Sequence, residues 1–276
     1  MNVITHLLQV VFLQPLLNLL FLIYGIIPGH DFGVSVIILT LIIRFALWPL
    51  TTKQLHSQKK MQALAPEIAK VKKQANGDKQ LESQMLMELY KEKEISPFSA
   101  CLPALLQFPF LIALYFVFQA ATHNTANLVN LLYAPIQHIP AVASIIQNPS
   151  SFNPTLFGVV SMTNPSIPLA ILAGITQFIQ VQMITPKQTD KSDPAASATK
   201  MMNYVFPLVT VFIAWKLPAA LPLYWLTANL VSIAQQKIIM REEVEEMEEV
   251  TIVKKLTSGK KLIKKPSKKT KSKSKK

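Results

Sequence analysis

The chain has 276 residues, half of them hydrophobic and only 16% charged, where an ordinary soluble domain carries about 25%. Its single cysteine, Cys101, excludes a disulfide framework and a cysteine–histidine metal cluster, and its net charge of +13 is crowded into two lysine-rich stretches. Several apolar runs approach the ~20 residues needed to cross a bilayer, so the composition describes an all-α polytopic membrane protein.

Residues 1–30 open the chain, and the first 28 contain no Lys, Arg, Asp or Glu. The basic start of a secretory signal and the arginines of a transit peptide are both missing from this stretch, which leads us to expect a bacterial protein. Gln9, Gln14 and Asn18 recur every four or five positions, and Pro15 interrupts them. We expect an N-terminal external helix lying in the membrane interface.

Residues 31–53 form the first predicted span. From Val34 to Leu50 the run is nearly all Val, Ile, Leu, Phe and Ala, yet Arg44 sits inside it. A central arginine costs roughly 2.5–3.5 kcal/mol on insertion scales, so it is expected to face a water-filled cavity or a partner charge. Lys53, Lys59 and Lys60 follow directly and place this end in the cytoplasm. Residues 54–98 carry apolar positions at helical spacing with a break at Asn76-Gly77, which predicts a cytoplasmic helical hairpin. Such a hairpin is either a charged cover over the spans or a mobile cap that meets a partner.

Residues 99–121 are the second predicted span. Pro103 and Pro109 leave backbone carbonyls without donors, which is tolerated in packed protein or beside water. Gln107 lies between them and either bonds a neighbouring helix or lines a polar cavity. Residues 122–160 form an external loop whose ionisable groups are His123 and His138, read as surface residues. Set against the lysines of the preceding loop, this absence of charge is a positive-inside signal.

Residues 161–184 hold the third span, polar at its far end, where Gln177 and Gln180 share a helix face. Residues 185–200 make a cytoplasmic loop. Residues 201–239 hold the fourth and fifth spans as a tight hairpin, in which Trp215, Tyr224 and Trp225 fit an interfacial aromatic belt. Residues 240–276 are a cytoplasmic tail with an acidic block and then twelve lysines. Lys254, Lys255, Lys260, Lys261, Lys264 and Lys265 would bind a phosphate-bearing surface, either ribosomal RNA or anionic lipid, or would simply keep the tail solvated. Five spans place the N-terminus outside and the C-terminus inside.

Four pieces carry a resemblance: IIRFALWPLTTKQLHSQKKMQALAPEI, SPFSACLPALLQFPFLIALY, ILAGITQFIQVQM and LPAALPLYWLTANLVSIAQQ. In type and order they resemble the YidC-type membrane protein insertases, which include mitochondrial and thylakoid relatives. The resemblance runs through most of residues 12–239. It implies five transmembrane helices around a hydrophilic groove, open to cytoplasm and lipid and closed outside. By its place before the Pro-Leu-Thr and lysine run, Arg44 matches the groove arginine of that family. Gln180 and Trp225 fall where groove-lining residues are expected, and Gln107 and Gln177 join them by helix-face reasoning. Residues 54–98 match the family's cytoplasmic hairpin, and the lysine tail resembles the ribosome-binding tails of some members.

The implied function is guidance of nascent hydrophobic segments into the bilayer of the bacterial cell membrane. The implied partners are nascent membrane proteins, the lipid bilayer and the ribosome, with the Sec translocon left open. No cofactor is expected, and there is no Walker motif. An enzyme is disfavoured too, because His56, the only histidine on the cytoplasmic side, has Ser57 beside it rather than facing it. The alternative is a small anion transporter or channel in which Arg44 binds the solute. It lacks inverted-repeat symmetry and a second intramembrane charge.

Overall fold

The structure, a computed structural model, describes residues 9–93, 112–120, 125–185 and 201–239. The chain divides into two compact units, Met1–Ala234 and Gln235–Lys276. Of the second unit, residues 235–239 are described, and they are helical. The first unit holds all the other described residues.

Helix α1 spans Gln9–Ile26. It begins as a π turn and becomes regular at Gln14, with Pro15 in the first α turn. Pro15 falls where the π turn gives way to the α-helix, and the wider turn before it lets the helix continue through the missing N–H, so Pro15 does not interrupt the helix as the sequence led us to expect. Leu17, Leu20, Phe21 and Tyr24 are buried, which makes α1 a core element. Among the described residues it is the one unbroken helix long and apolar enough to cross a bilayer.

Helix α2 is Phe32–Ala46, capped by Asp31, whose side chain accepts from the Val34 amide. Its direction changes by 64° where helix α3, Trp48–Ala63, takes over. The helix over the expected span 31–53 therefore bends at Leu47. The cause is Pro49, which has no N–H to offer the Phe45 carbonyl one turn back. Phe45 and Trp48 stack across the corner, 5.7 Å apart.

Helices α4 (Ala65–Ala75) and α5 (Lys79–Glu92) form a hairpin. Asn76 ends α4 in the left-handed region, Gly77 continues the turn at φ 91°, and Asp78 caps α5 by accepting from the amides of Gln80 and Leu81. Asn and Gly adopt positive φ at the lowest cost, so the turn falls where the sequence places it. Lys93 and Glu67 close the open end at 3.2 Å.

Helix α6, residues 112–120, packs Leu114, Val117 and Phe118 inward. The segment after it folds into α7 (Thr125–Leu131), α8 (Ala134–Gln137), α9 (Pro140–Gln147) and a small antiparallel pair, β1 (Thr155–Leu156) and β2 (Val160–Ser161). Thr155 lies opposite Ser161, and Leu156 opposite Val160. These two strands qualify an otherwise helical fold. The expected loop over 122–160 is thus an ordered cap with its own core residues, Leu128, Val142 and Ile145. His138 is exposed, as expected, and His123 lies outside the described residues.

Helix α10 is Ile167–Ile184. Helix α11 starts as a π turn at Met201–Val205 and continues through Phe206–Ala214. Helix α12 occupies residues 220–239. Gly174 lets α10 and α11 meet closely, since a Cβ there would sit 2.2 Å from Val211 Cγ2.

The outer surface is apolar. Ile167, Ile171, Ile175 and Ile179 form an exposed ridge along α10, and Leu208 and Phe212 are exposed on α11. Contiguous apolar surface of this extent is costly in water and is what lipid tails require. Meanwhile Thr40, Thr176, Thr227, Asn229 and Ser232 are buried inside. Polar inside and apolar outside is the arrangement of a helical membrane protein.

Candidate functional site

The site is built from three helices. Arg44 lies in the last turn of α2, just before the 64° corner. Twelve residues separate it from Phe32, so it sits about 18 Å along α2. It is half-buried. Cations are favoured at a helix C-terminus, which offsets part of the cost of this placement.

Tyr224, early in α12, lies close enough to Arg44 to interact with it electrostatically. Tyr224 is 3% exposed and belongs to the core. That corrects its reading as an aromatic-belt residue: a belt residue faces the lipid–water boundary, and this ring faces protein. Trp215 is exposed, and Trp225, the chain neighbour of Tyr224, is half-buried against the core.

Helix α12 is tied to α10 by Asn229. Its amide nitrogen donates to the Ala173 carbonyl at 3.2 Å and to Thr176 Oγ1 at 3.3 Å. On α10, Ala173, Thr176, Gln177 and Gln180 recur at offsets of three, four and seven, so they share the stripe on which Asn229 docks. Gln177 and Gln180 are both half-buried there. On α12, Trp225 precedes Asn229 by one turn and faces the same way.

Of the sequence-derived residues, Arg44 lies near Tyr224 of α12, Trp225 lies on the same helix, and Gln177 and Gln180 lie on the α10 stripe where Asn229 of α12 docks. Gln107 lies outside the described residues, as do Lys254, Lys255, Lys260, Lys261, Lys264 and Lys265. Sequence reasoning missed Tyr224 as the neighbour of Arg44 and Asn229 as the bridge. The signal for Asn229 was present, because an amide on an apolar helix seeks a partner across a helix interface.

The inward polar groups are mostly satisfied locally. Thr40 donates to the Val36 carbonyl, Thr227 to Leu223 and Ser232 to Ala228, each one turn back. Arg44 brings a full charge into this lining. No group of His, Cys, Asp and Glu suited to a metal occurs among the described residues.

The cap packs over the facing ends of α1 and α2. Asn18 donates to the Leu131 carbonyl at 3.0 Å and accepts from the Tyr133 amide at 2.6 Å. The Asn153 amide donates to the Tyr24 hydroxyl at 3.1 Å. Phe152 inserts between α1 and α2, with its ring 5.5 Å from Tyr24 and 5.1 Å from Phe32. The amides of Ala219 and Ala220 donate to the carbonyls of Asn164 and Met162, which joins the cap to the start of α12.

Comparison with known proteins places these features in a family. Residues 22–246 match the family described as 60Kd inner membrane protein. A protein of Clostridium tetani named membrane protein insertase YidC is 36% identical over 208 residues, covering 75% of this chain and 81% of its own length. Its namesake from Fusobacterium nucleatum is 35% identical over 212 residues, covering 77% of this chain and 87% of its own length. The namesake from Haemophilus influenzae is 36% identical over 228 residues, but these are 36% of its length. A crystal structure of an active YidC insertase with its first transmembrane domain resolved aligns with 75% of this chain and 41% of its own, at 22% identity and a TM-score of 0.48. The chain belongs to the 60Kd inner membrane protein family, that of the YidC membrane protein insertases.

Proposed function

We propose that this chain is a membrane protein insertase of the cell membrane, which receives nascent hydrophobic segments along the Arg44 face of α2, α10 and α12 and releases them into lipid. Five spans carry the reading, at 31–53, 99–121, 161–184 and the pair within 201–239. The N-terminus lies outside, and the α4–α5 hairpin and lysine tail lie in the cytoplasm. The observation that carries it is a half-buried arginine about 18 Å into an apolar helix, near Tyr224 of α12, the helix whose Asn229 docks on the polar stripe of α10.

An inserting segment must bring its polar flank across a layer that penalises it. A polar path part-way through the bilayer shortens the dry distance. Arg44 attracts an acidic residue in that flank, with an attraction of about 1 kcal/mol in water and about 4 kcal/mol at an intermediate dielectric at contact distance. That is enough to bias entry and weak enough to allow release. The apolar segment then partitions into lipid past the outer ridge of α10, driven by the hydrophobic effect, and no nucleotide is consumed. The tail lysines hold the ribosome close through phosphate contacts.

The test is insertion of labelled single-span substrates into vesicles containing only this protein and lipid, without nucleotide. Arg44→Ala lowers the protease-protected fraction most for substrates with acidic flanks, by about fivefold per kcal/mol lost. Arg44→Lys retains most of the activity if charge alone matters and loses it if the guanidinium fork is required. Equal loss across all substrates would contradict direct pairing.

A further inference from the structure

The turn that joins β1 to β2 is an unusual place for its residues. The Val159 amide donates to the Leu156 carbonyl at 3.0 Å, and both central residues have positive φ, 52° at Phe157 and 70° at Gly158. Asn-Gly fills such a turn without difficulty, whereas a bulky phenylalanine in the left-handed region is strained. Burial does not compensate that strain, since Phe157 is 73% exposed and Val159 83%. An aromatic held in an unfavourable backbone conformation and pointed away from the protein calls for something outside the protein to receive it.

The turn is also held firmly in one place. The Asp31 carboxylate accepts from the Phe157 amide with one oxygen and from the Val34 amide with the other. The same side chain thus caps α2 and fixes the turn to its outer end. Leu156 packs on Gly33, where even a Cβ would clash at 2.5 Å. The chain then runs from β2 into α10, whose exposed isoleucine ridge begins at Ile167, and Ile26 at the end of α1 is 70% exposed. Phe157 and Val159 therefore add exposed apolar surface at the end of the molecule where α2 begins. Residues 125–168 carry no Lys, Arg, Asp or Glu, so nothing in the cap opposes contact with the headgroup–acyl boundary.

We infer that the Phe157-Gly158-Val159 tip is a lipid anchor, seated in the interfacial layer of the outer leaflet. It fixes the depth of the cap, and hence of the outer ends of α1 and α2, relative to the membrane. The anchor is a property of the cap and does not depend on insertase activity.

The experiment places an environment-sensitive fluorophore on Val159→Cys, and separately on Phe157→Cys, in a Cys101→Ser background. The full chain is reconstituted into vesicles of phosphatidylethanolamine and phosphatidylglycerol, with iodide on both sides. Lys79→Cys, on a side chain 75% exposed at the start of α5, supplies the aqueous reference. Both tip positions should show blue-shifted emission, protection from iodide, and quenching by lipid spin-labelled near the headgroup in excess of lipid labelled near the chain terminus. Iodide quenching equal to that at position 79 would overturn the anchor. Protection from iodide without quenching by spin-labelled lipid would overturn it too, assigning the tip to a protein contact. So would protection seen in native membranes and lost in pure lipid, which would assign the tip to a separate partner.

Discussion

An arginine in an apolar helix stays charged only where its surroundings replace water. Arg44 sits in the C-terminal turn of α2, where the helix dipole favours a cation, and its helix ends there at a corner. Gly174 acts by the opposite means, through what it lacks. Gly174→Ala brings a Cβ within 2.2 Å of Val211 Cγ2 and should cost about 1–3 kcal/mol by overpacking. Thermal unfolding in detergent should show a lowered midpoint, and Val211→Ala in the same chain should restore most of it. A Gly174→Ala protein as stable as the parent would mean that α10 and α11 do not meet there. Arg44 was legible in the sequence because one charge in an apolar run has few explanations. Gly174 was not, because a close approach between helices leaves no pattern in either helix alone.

Between elements, the clearest device is the junction of α1 with the cap. Asn18 satisfies two backbone groups of the cap at once, Leu131 C=O and Tyr133 N–H. Asn18→Ala removes the partner of both in a partly buried place, at about 1 kcal/mol for each bond lost. Amide exchange at Tyr133 should then quicken while exchange within α10 stays unchanged, and unchanged exchange at Tyr133 would show that the junction holds by packing alone. The periodicity of Gln9, Gln14 and Asn18 reads as a polar stripe on an interfacial helix. That pattern cannot tell a side chain facing headgroups from one facing the backbone of a distant segment. The bend at Leu47 was hidden for a related reason. Pro49 is plain in the sequence, but an unbroken apolar run on one side and lysines on the other outweigh it in any reading by composition. The hairpin turn was legible because Asn76-Gly77-Asp78 supplies a left-handed residue, a glycine and an N-cap in order, all of which act locally.

For the whole molecule, the exposed isoleucine ridge of α10 and the buried Thr176 and Asn229 behind it state the same fact from two sides. The solvent is apolar, and the polar groups gather where helices meet. Composition gave the class at once, since low charge and long apolar runs leave few alternatives. The approach of Arg44 to Tyr224 and the docking of Asn229 on α10 needed the packing of helices distant in sequence, and no spacing within one of them reports it. We propose that nascent chains are received beside these residues.

The most direct measurement places a photo-crosslinker at Gln180 and presents inverted vesicles with a ribosome-bound nascent membrane protein. The account predicts an adduct between position 180 and the nascent chain that weakens when the acidic flank of the substrate is neutralised. An adduct indifferent to that flank would keep the insertase and reduce Arg44 to a hydrating residue. No adduct from Gln180 or from neighbouring positions, with the protein folded and ribosomes bound, would contradict the account and favour an anion-conducting role for Arg44.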